Sequence, residues 1–188
     1  QKALPLPKDH SEGENTNDSI SSISVSLTLE ETEALLKEVP KSYHTQINDM
    51  LLTALLQAAS KWTRSSNILF DLEGHGREEI IKDIHPSRTV GWFTSLFPVS
   101  LELPKTSELG EVIKSVKEQL REIPNKGIGC GLLRYLTQDE SLKDALKALP
   151  QAEISFNYLG QFNETFREDS FFKPAQESQG SSQSSQGK

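Results

Sequence analysis

Strands interleaved with helices predict an α/β fold built on a layered mixed β-sheet, and three segments carry that expectation. Asn48 to Trp62 has the apolar spacing of a long buried helix. Asn67 to Leu72 is a short hydrophobic run of strand length, and Glu153 to Leu159 alternates apolar with polar residues. A sheet with helices packed on it is the arrangement that buries all three.

Taken in order, Ile23, Val25 and Leu27 alternate with serines, which predicts a half-buried strand. Thr28 and Glu31 have capping-box spacing, so a helix starts there, with Leu29, Ala34, Leu35 and Leu36 on its apolar side and Pro40 as its stop. In the long helix Ile47, Leu51, Leu55, Ala58 and Trp62 fall on one face, widened by Ala54 and Ala59. Ile68, Leu69, Phe70 and Leu72 then form a buried strand. Val90 to Leu103 is strand-like but contains Pro98, which predicts strand, break, strand.

Glu108 to Ile123 is amphipathic, with Leu109, Val112, Ile113, Val116, Leu120 and Ile123 inward. Its acidic residues come early and Lys114, Lys117 and Arg121 late, as the helix dipole favours. Pro124 ends it, and Gly127-Ile128-Gly129-Cys130-Gly131 reads as a tight loop, because its spacing matches neither a dinucleotide fingerprint nor a P-loop. Leu132 to Tyr135 and Ser141 to Leu149 are short helical segments. In the last strand Ile154, Phe156 and Tyr158 share one side, Ser155 and Asn157 the other.

Both ends differ from the middle of the 188 residues. Residues 1–22 read as a flexible or extended linker and 173–188, rich in Ser and Gln, as a disordered loop or tail, since neither can offset its ordering entropy by burial. The folded part is expected over 23–172. A formal charge of −7 without a basic stripe argues against nucleic acid. No apolar run reaches the roughly 20 residues that cross a bilayer, which predicts a soluble, cytoplasmic protein without a membrane partner. One cysteine, Cys130, excludes an internal disulfide, and His10, His44, His75 and His85 include no i, i+4 pair, so no metal site is expected.

The chemistry-bearing stretch is Glu73-Gly74-His75-Gly76-Arg77-Glu78, four ionisable side chains around two glycines at the end of a buried strand. Spacing alone fits a surface ion pair between Glu73 and Arg77 as well as a reactive site. Four further strings accompany it: Asn48-Asp49-Met50-Leu51-Leu52, Arg88-Thr89-Val90-Gly91-Trp92-Phe93-Thr94 followed by Phe97-Pro98-Val99, Pro124 with Gly127 to Gly131, and Phe156-Asn157-Tyr158-Leu159-Gly160. In this order the five strings resemble the epimerization domains of nonribosomal peptide synthetases, relatives of the condensation domains. Peptide-bond-forming relatives carry Val-Gly-x-Phe-Val-Asn-Thr where this chain has Val90 to Ser95, and they lack the hexapeptide.

The resemblance implies one lobe of the chloramphenicol-acetyltransferase-like condensation fold, the C-terminal one. The family's N-terminal lobe carries a His-His-x-x-x-Asp-Gly motif, and no such string occurs in these residues. The resemblance therefore implies an incomplete domain, inactive by itself, whose partners are that N-terminal lobe and a peptidyl carrier protein. The implied reaction inverts L to D at the α-carbon of an aminoacyl or peptidyl thioester. No cofactor is bound directly; the substrate rides on the carrier's phosphopantetheine. Glu73 matches the family's catalytic glutamate, with Arg77 as its orienter or a stabiliser of enolate charge, and Asn157 and Tyr158 lining the site. Cys130 stands where the family usually has Tyr. A condensation-type acyltransferase and a noncatalytic carrier-docking lobe are the alternatives.

Overall fold

The structure, a computed structural model, describes residues 5–10, 12–13, 16, 19–80, 83, 85–160 and 177. The tail expected over 173–188 lies outside the described residues apart from Glu177. Contacts separate two units, one of Gln1–Pro7 with Leu27–Tyr158 and one of Lys8–Ser26 with Leu159–Lys188. In the second unit the described residues are irregular apart from a turn in which Ser19 N–H donates to the Thr16 carbonyl at 3.0 Å. The strand expected at Ile23 to Leu27 does not form, and Ile23 is 93% exposed. Alternation alone, with serines between and no neighbouring strand among the described residues, supplies no ladder partner.

The first unit begins with α1 (Leu29–Glu33), a π-helical turn (Ala34–Glu38) and α2 (Val39–Tyr43) in direct succession. Thr28 and Glu31 form the expected capping box, each side chain bonded to the other's backbone N–H. Pro40 does not stop the helix. It sits in the first turn of α2, where a missing N–H is tolerated, and the wider π-helical turn precedes it. The helix ends four residues later at His44, in the left-handed conformation. Two cations of the fourth helix cap its carbonyl end: Lys117 Nζ donates to the Tyr43 carbonyl and Arg121 Nη2 to that of His44.

α3 (Ile47–Thr63) buries Asp49, Leu52, Thr53, Leu56, Ala59 and Ser60, a face rotated from the one its pattern predicted. Trp62 is 57% exposed, and Ala54 and Ala58 are exposed too. The helix is apolar around most of its girth, so spacing did not single out one stripe. Its buried face lies on β1 (Asn67–Gly74), where Ile68, Phe70 and Leu72 are buried.

Among the described residues β1 is the middle strand of three. β2 (Ser95–Glu102) runs antiparallel to it, from Asn67↔Glu102 to Gly74↔Ser95, and β3 (Ile154–Phe156) runs parallel, with Phe70↔Ile154 and Leu72↔Phe156. The sheet is mixed, as expected. Pro98 does not break β2, because β2 is an edge strand and a missing N–H is tolerated there. Val90 to Thr94, expected to be strand, is irregular, with Trp92 91% exposed.

Phe97, Val99 and Leu101 of β2 complete the core together with Val116 of α4 (Leu109–Arg121). Each such side chain, fully buried, contributes about 1.5–3 kcal/mol. Leu120 and Ile123 pack on this core, while Leu109 stays exposed. A 3₁₀ turn (Pro124–Gly127) follows, then α5 (Gly129–Tyr135) and α6 (Glu140–Lys147). The glycine string is therefore only partly a loop: Gly129, Cys130 and Gly131 form the first turn of α5. Gly127 has φ +81°, and a β-carbon there would strike the Phe97 ring. α5 packs beside β2, and Cys130 lines a cavity of about 210 Å³ with Asp71, Pro98 and Arg134.

Asp49 is the buried charge of this core. Its Oδ2 accepts the Gln46 N–H at 2.7 Å, and burial raises its proton affinity above the ordinary value of 3.8, against the pull of Gln46, Arg121 and Lys117. A carboxyl with a raised folded-state pKa holds its proton more tightly folded than unfolded. Its contribution to stability falls as pH rises from 3.8 through the folded value and is constant above it. The melting temperature of the native chain relative to Asp49→Asn is accordingly expected to fall across that interval and then level off; a difference independent of pH would contradict it.

Candidate active site

The hexapeptide begins on the last two residues of β1, and the ladder fixes where it starts. Alternation along β1 sends Leu72 into the core and Glu73 to the opposite face, next to its cross-strand partner Leu96. Asn157 lies just past β3, whose last residue pairs with Leu72. Its Nδ2 donates to Glu73 Oε2 at 2.7 Å. Residues 84 positions apart thus form one carboxylate–amide pair at the end of the sheet. Asn157 is exposed and Glu73 half-buried, so the carboxylate is reachable. Tyr158 is half-buried one residue on, and the hydrogen bond to Glu73 comes from Asn157 rather than from Tyr158.

Arg77 is placed differently from its expected role. Its guanidinium is committed to backbone carbonyls: Nη1 donates to Pro86 at 2.5 Å and Thr89 at 2.7 Å, and Nη2 to Gly91 at 3.0 Å. Its flat face lies over the Phe93 ring, 4.4 Å from the centroid. Only a planar, forked cation meets three carbonyls and a ring at once. Arg77 therefore organises the 86–93 segment instead of orienting Glu73. Gly76 makes this approach possible, with φ +64° and no β-carbon to collide with the Phe93 carbonyl.

His75 closes the other side of the turn. Its Nδ1 accepts the Arg77 N–H at 3.0 Å, so Nε2 carries the proton, and Nε2 lies 3.1 Å from Glu78 Oε1. Glu78 Oε2 in turn meets Lys126 Nζ at 3.1 Å. A chain from the hexapeptide to the 3₁₀ turn results, with His75 structural. Glu73, Gly74, His75 and Glu78 also line a cavity of about 370 Å³ with Leu72, Phe97 and Phe156, floored at the head of α3 by Asn48 and Asp49. Asn48 belonged to a recognised string, but nothing in its spacing assigned it to this cavity. Among the described residues no three His, Cys, Asp or Glu side chains group as a metal site, and no helix is long and apolar enough to cross a membrane.

The family described as "Condensation domain" matches residues 1–187. This chain belongs to the condensation-domain family. It is 50% identical over 179 residues to one of the linear gramicidin synthase polypeptides of Brevibacillus parabrevis, covering 95% of this chain and 2% of that protein. It is 49% identical over 162 residues to surfactin synthase subunit 1 of Bacillus subtilis (strain 168), covering 86% and 4%. Gramicidin S synthase 1 of Brevibacillus brevis is 47% identical over 168 residues, covering 89% and 15%.

The crystal structure of the epimerization domain from the third module of tyrocidine synthetase B superposes with a TM-score of 0.78 at 44% identity, covering 86% of this chain and 36% of that one. This condensation-family chain is thus epimerization-domain-like, and its layered mixed α/β architecture is the one expected. It spans 15% or less of these curated relatives and about a third of the solved domain.

Two outcomes follow for the hexapeptide turn. Arg77→Lys keeps the charge but loses the fork and the stacking, which is expected to lower stability by about 1–2 kcal/mol and raise amide hydrogen exchange selectively in residues 86–93. Unaltered exchange there would show that the guanidinium does not hold the segment. Gly76→Ala is expected to cost more than Gly74→Ala in a urea midpoint, because its added carbon meets backbone.

Proposed function

We propose that this chain is the part of an epimerization domain that carries Glu73, and that the domain inverts L to D at the α-carbon of an aminoacyl or peptidyl thioester. The substrate is carried on the phosphopantetheine arm of a peptidyl carrier protein, in the cytoplasm. The observation that carries the reading is the reachable Glu73 carboxylate held by Asn157 at 2.7 Å, in a chain similar to a solved epimerization domain.

A thioester acidifies the α-hydrogen of the residue it carries. Removal of that proton leaves an enolate, and return of a proton to the opposite face gives the other configuration with no net change in atoms or charge. Two proton-handling groups on opposite faces meet this geometry. Glu73 is one. A histidine from the paired-histidine motif of the N-terminal lobe is the other. Asn157 restrains the carboxylate by donating to one oxygen, which leaves the second free to take or give the proton. Arg77 contributes by fixing the 86–93 segment beside the site, and Tyr158 by lining it.

Solvent deuterium exchange at the α-carbon of a carrier-bound substrate measures the step. In the intact two-lobed domain Glu73→Gln is expected to lower exchange on the order of a hundredfold or more, as loss of a positioned acid–base group does. Exchange unchanged in that variant would remove Glu73 from the mechanism. Asn157→Ala, which frees the carboxylate without removing it, is expected to cost about tenfold.

A further inference from the structure

We propose that the side chain of the inverted residue sits in a hollow on the Glu73 face of the sheet, beside Leu96, and that this hollow selects apolar residues. The assignment deepens the epimerization reading and rests on it. Glu73 and Leu96 stand directly opposite each other in the β1–β2 ladder. Side chains of such a pair share one face, with β-carbons about 4.5–5.5 Å apart. Leu96 is 54% exposed, so its apolar surface is open to a ligand at the carboxylate. It lines a hollow of about 530 Å³ with Pro98, the next residue on that face of β2, and with Phe93, Leu132 and Leu136. That volume is within the roughly 300–1,000 Å³ of small-molecule sites. The cavity at the head of α3 belongs to the other face, where Leu72 and Phe97 are paired.

Glu73 has unlike neighbours on its two sides. Toward β3 stands Asn157, whose amide donates to Oε2 at 2.7 Å. Toward β2 stands Leu96. An α-carbon brought to this carboxylate carries a hydrogen, a nitrogen, the thioester carbonyl and a side chain. In the configuration that Glu73 deprotonates, the hydrogen faces the carboxylate. A polar substituent laid against Leu96 and Pro98 would lose its hydrogen bonds to water without replacement, which costs free energy. The apolar side chain therefore belongs on the β2 side and the nitrogen and carbonyl on the side of Asn157. Inversion carries the hydrogen across the plane of the enolate while the heavier groups shift little, so one hollow serves both configurations. Its lining holds one carboxylate and one guanidinium, Asp71 and Arg134, whose charges offset each other and call for no charged ligand. Arg77 gains a part as well: stacked on Phe93 and bonded to the carbonyls of Thr89 and Gly91, it holds one wall in place.

The test compares carrier-bound leucyl and asparaginyl thioesters, close in volume and opposite in polarity, in the intact domain. Native kcat/KM for α-carbon deuterium exchange is expected to favour the leucyl substrate about tenfold or more. Leu96→Asn, which keeps the volume and makes the wall polar, is expected to lower that ratio about fivefold, and Leu132→Asn to lower it in the same direction. Leu133→Asn, on an equally exposed leucine of α5 outside the hollow, is expected to leave the ratio as in the native domain. A native ratio near one, or Leu96→Asn slowing both substrates equally, would overturn the proposal; the second result would make Leu96 a packing surface instead of a selector. Because misfolding lowers both rates together, only the ratio counts. Kd for non-exchanging amide analogues of the two carriers is expected to show the same preference and the same loss in Leu96→Asn. A native domain that exchanges neither thioester would sink the epimerization reading, while the Kd comparison still decides the hollow.

Discussion

Everything in this site depends on β1 being the central strand of a mixed sheet. An antiparallel neighbour on one side and a parallel one on the other fix its register from both edges. Because side chains alternate, a slip of one residue would turn Phe70 and Leu72 out of the core and Glu73 into it. The burial of Ile68, Phe70 and Leu72 against α3 therefore does two things. It stabilises the fold, and it holds a carboxylate on the opposite face at the strand's end. The parallel partner adds what an antiparallel hairpin could not: it brings Asn157 from the far end of the folded unit to within 2.7 Å of Glu73.

The hexapeptide divides its labour along its length. Glu73 is still on the strand and shares its rigidity. From Gly76 onward the backbone turns, and Arg77 anchors the returning segment through three carbonyls and the Phe93 ring. His75, Glu78 and Lys126 tie the same turn to the chain after α4. Three of the four ionisable side chains in this six-residue stretch, His75, Arg77 and Glu78, are engaged in contacts that shape the turn, while Glu73 meets Asn157.

Much of this was legible in the sequence, and the failures have physical causes. The capping box at Thr28, the strand over Asn67 to Leu72 and the amphipathic α4 were readable because local periodicity determines them. Glu73 and Asn157 were recognisable through their strings, but their contact depends on a pairing 84 residues apart that no spacing records. Pro40 and Pro98 were read as breaks because their tolerance depends on context: a first helical turn for one, an edge strand for the other. The buried face of α3 was misassigned because a helix apolar on several sides leaves its orientation to its partners. Arg77 was given an electrostatic role toward Glu73 because sequence shows charges but not the carbonyls that compete for them.

The central claim is that Glu73 and Asn157 act as one unit in moving the α-proton. A double-mutant cycle on solvent deuterium exchange, with Glu73→Gln, Asn157→Ala and the pair in the intact domain, tests it most directly. The account predicts that the double variant is no slower than Glu73→Gln alone, because Asn157 acts only through that carboxylate. Losses that multiply would show that the two residues work independently and would contradict it.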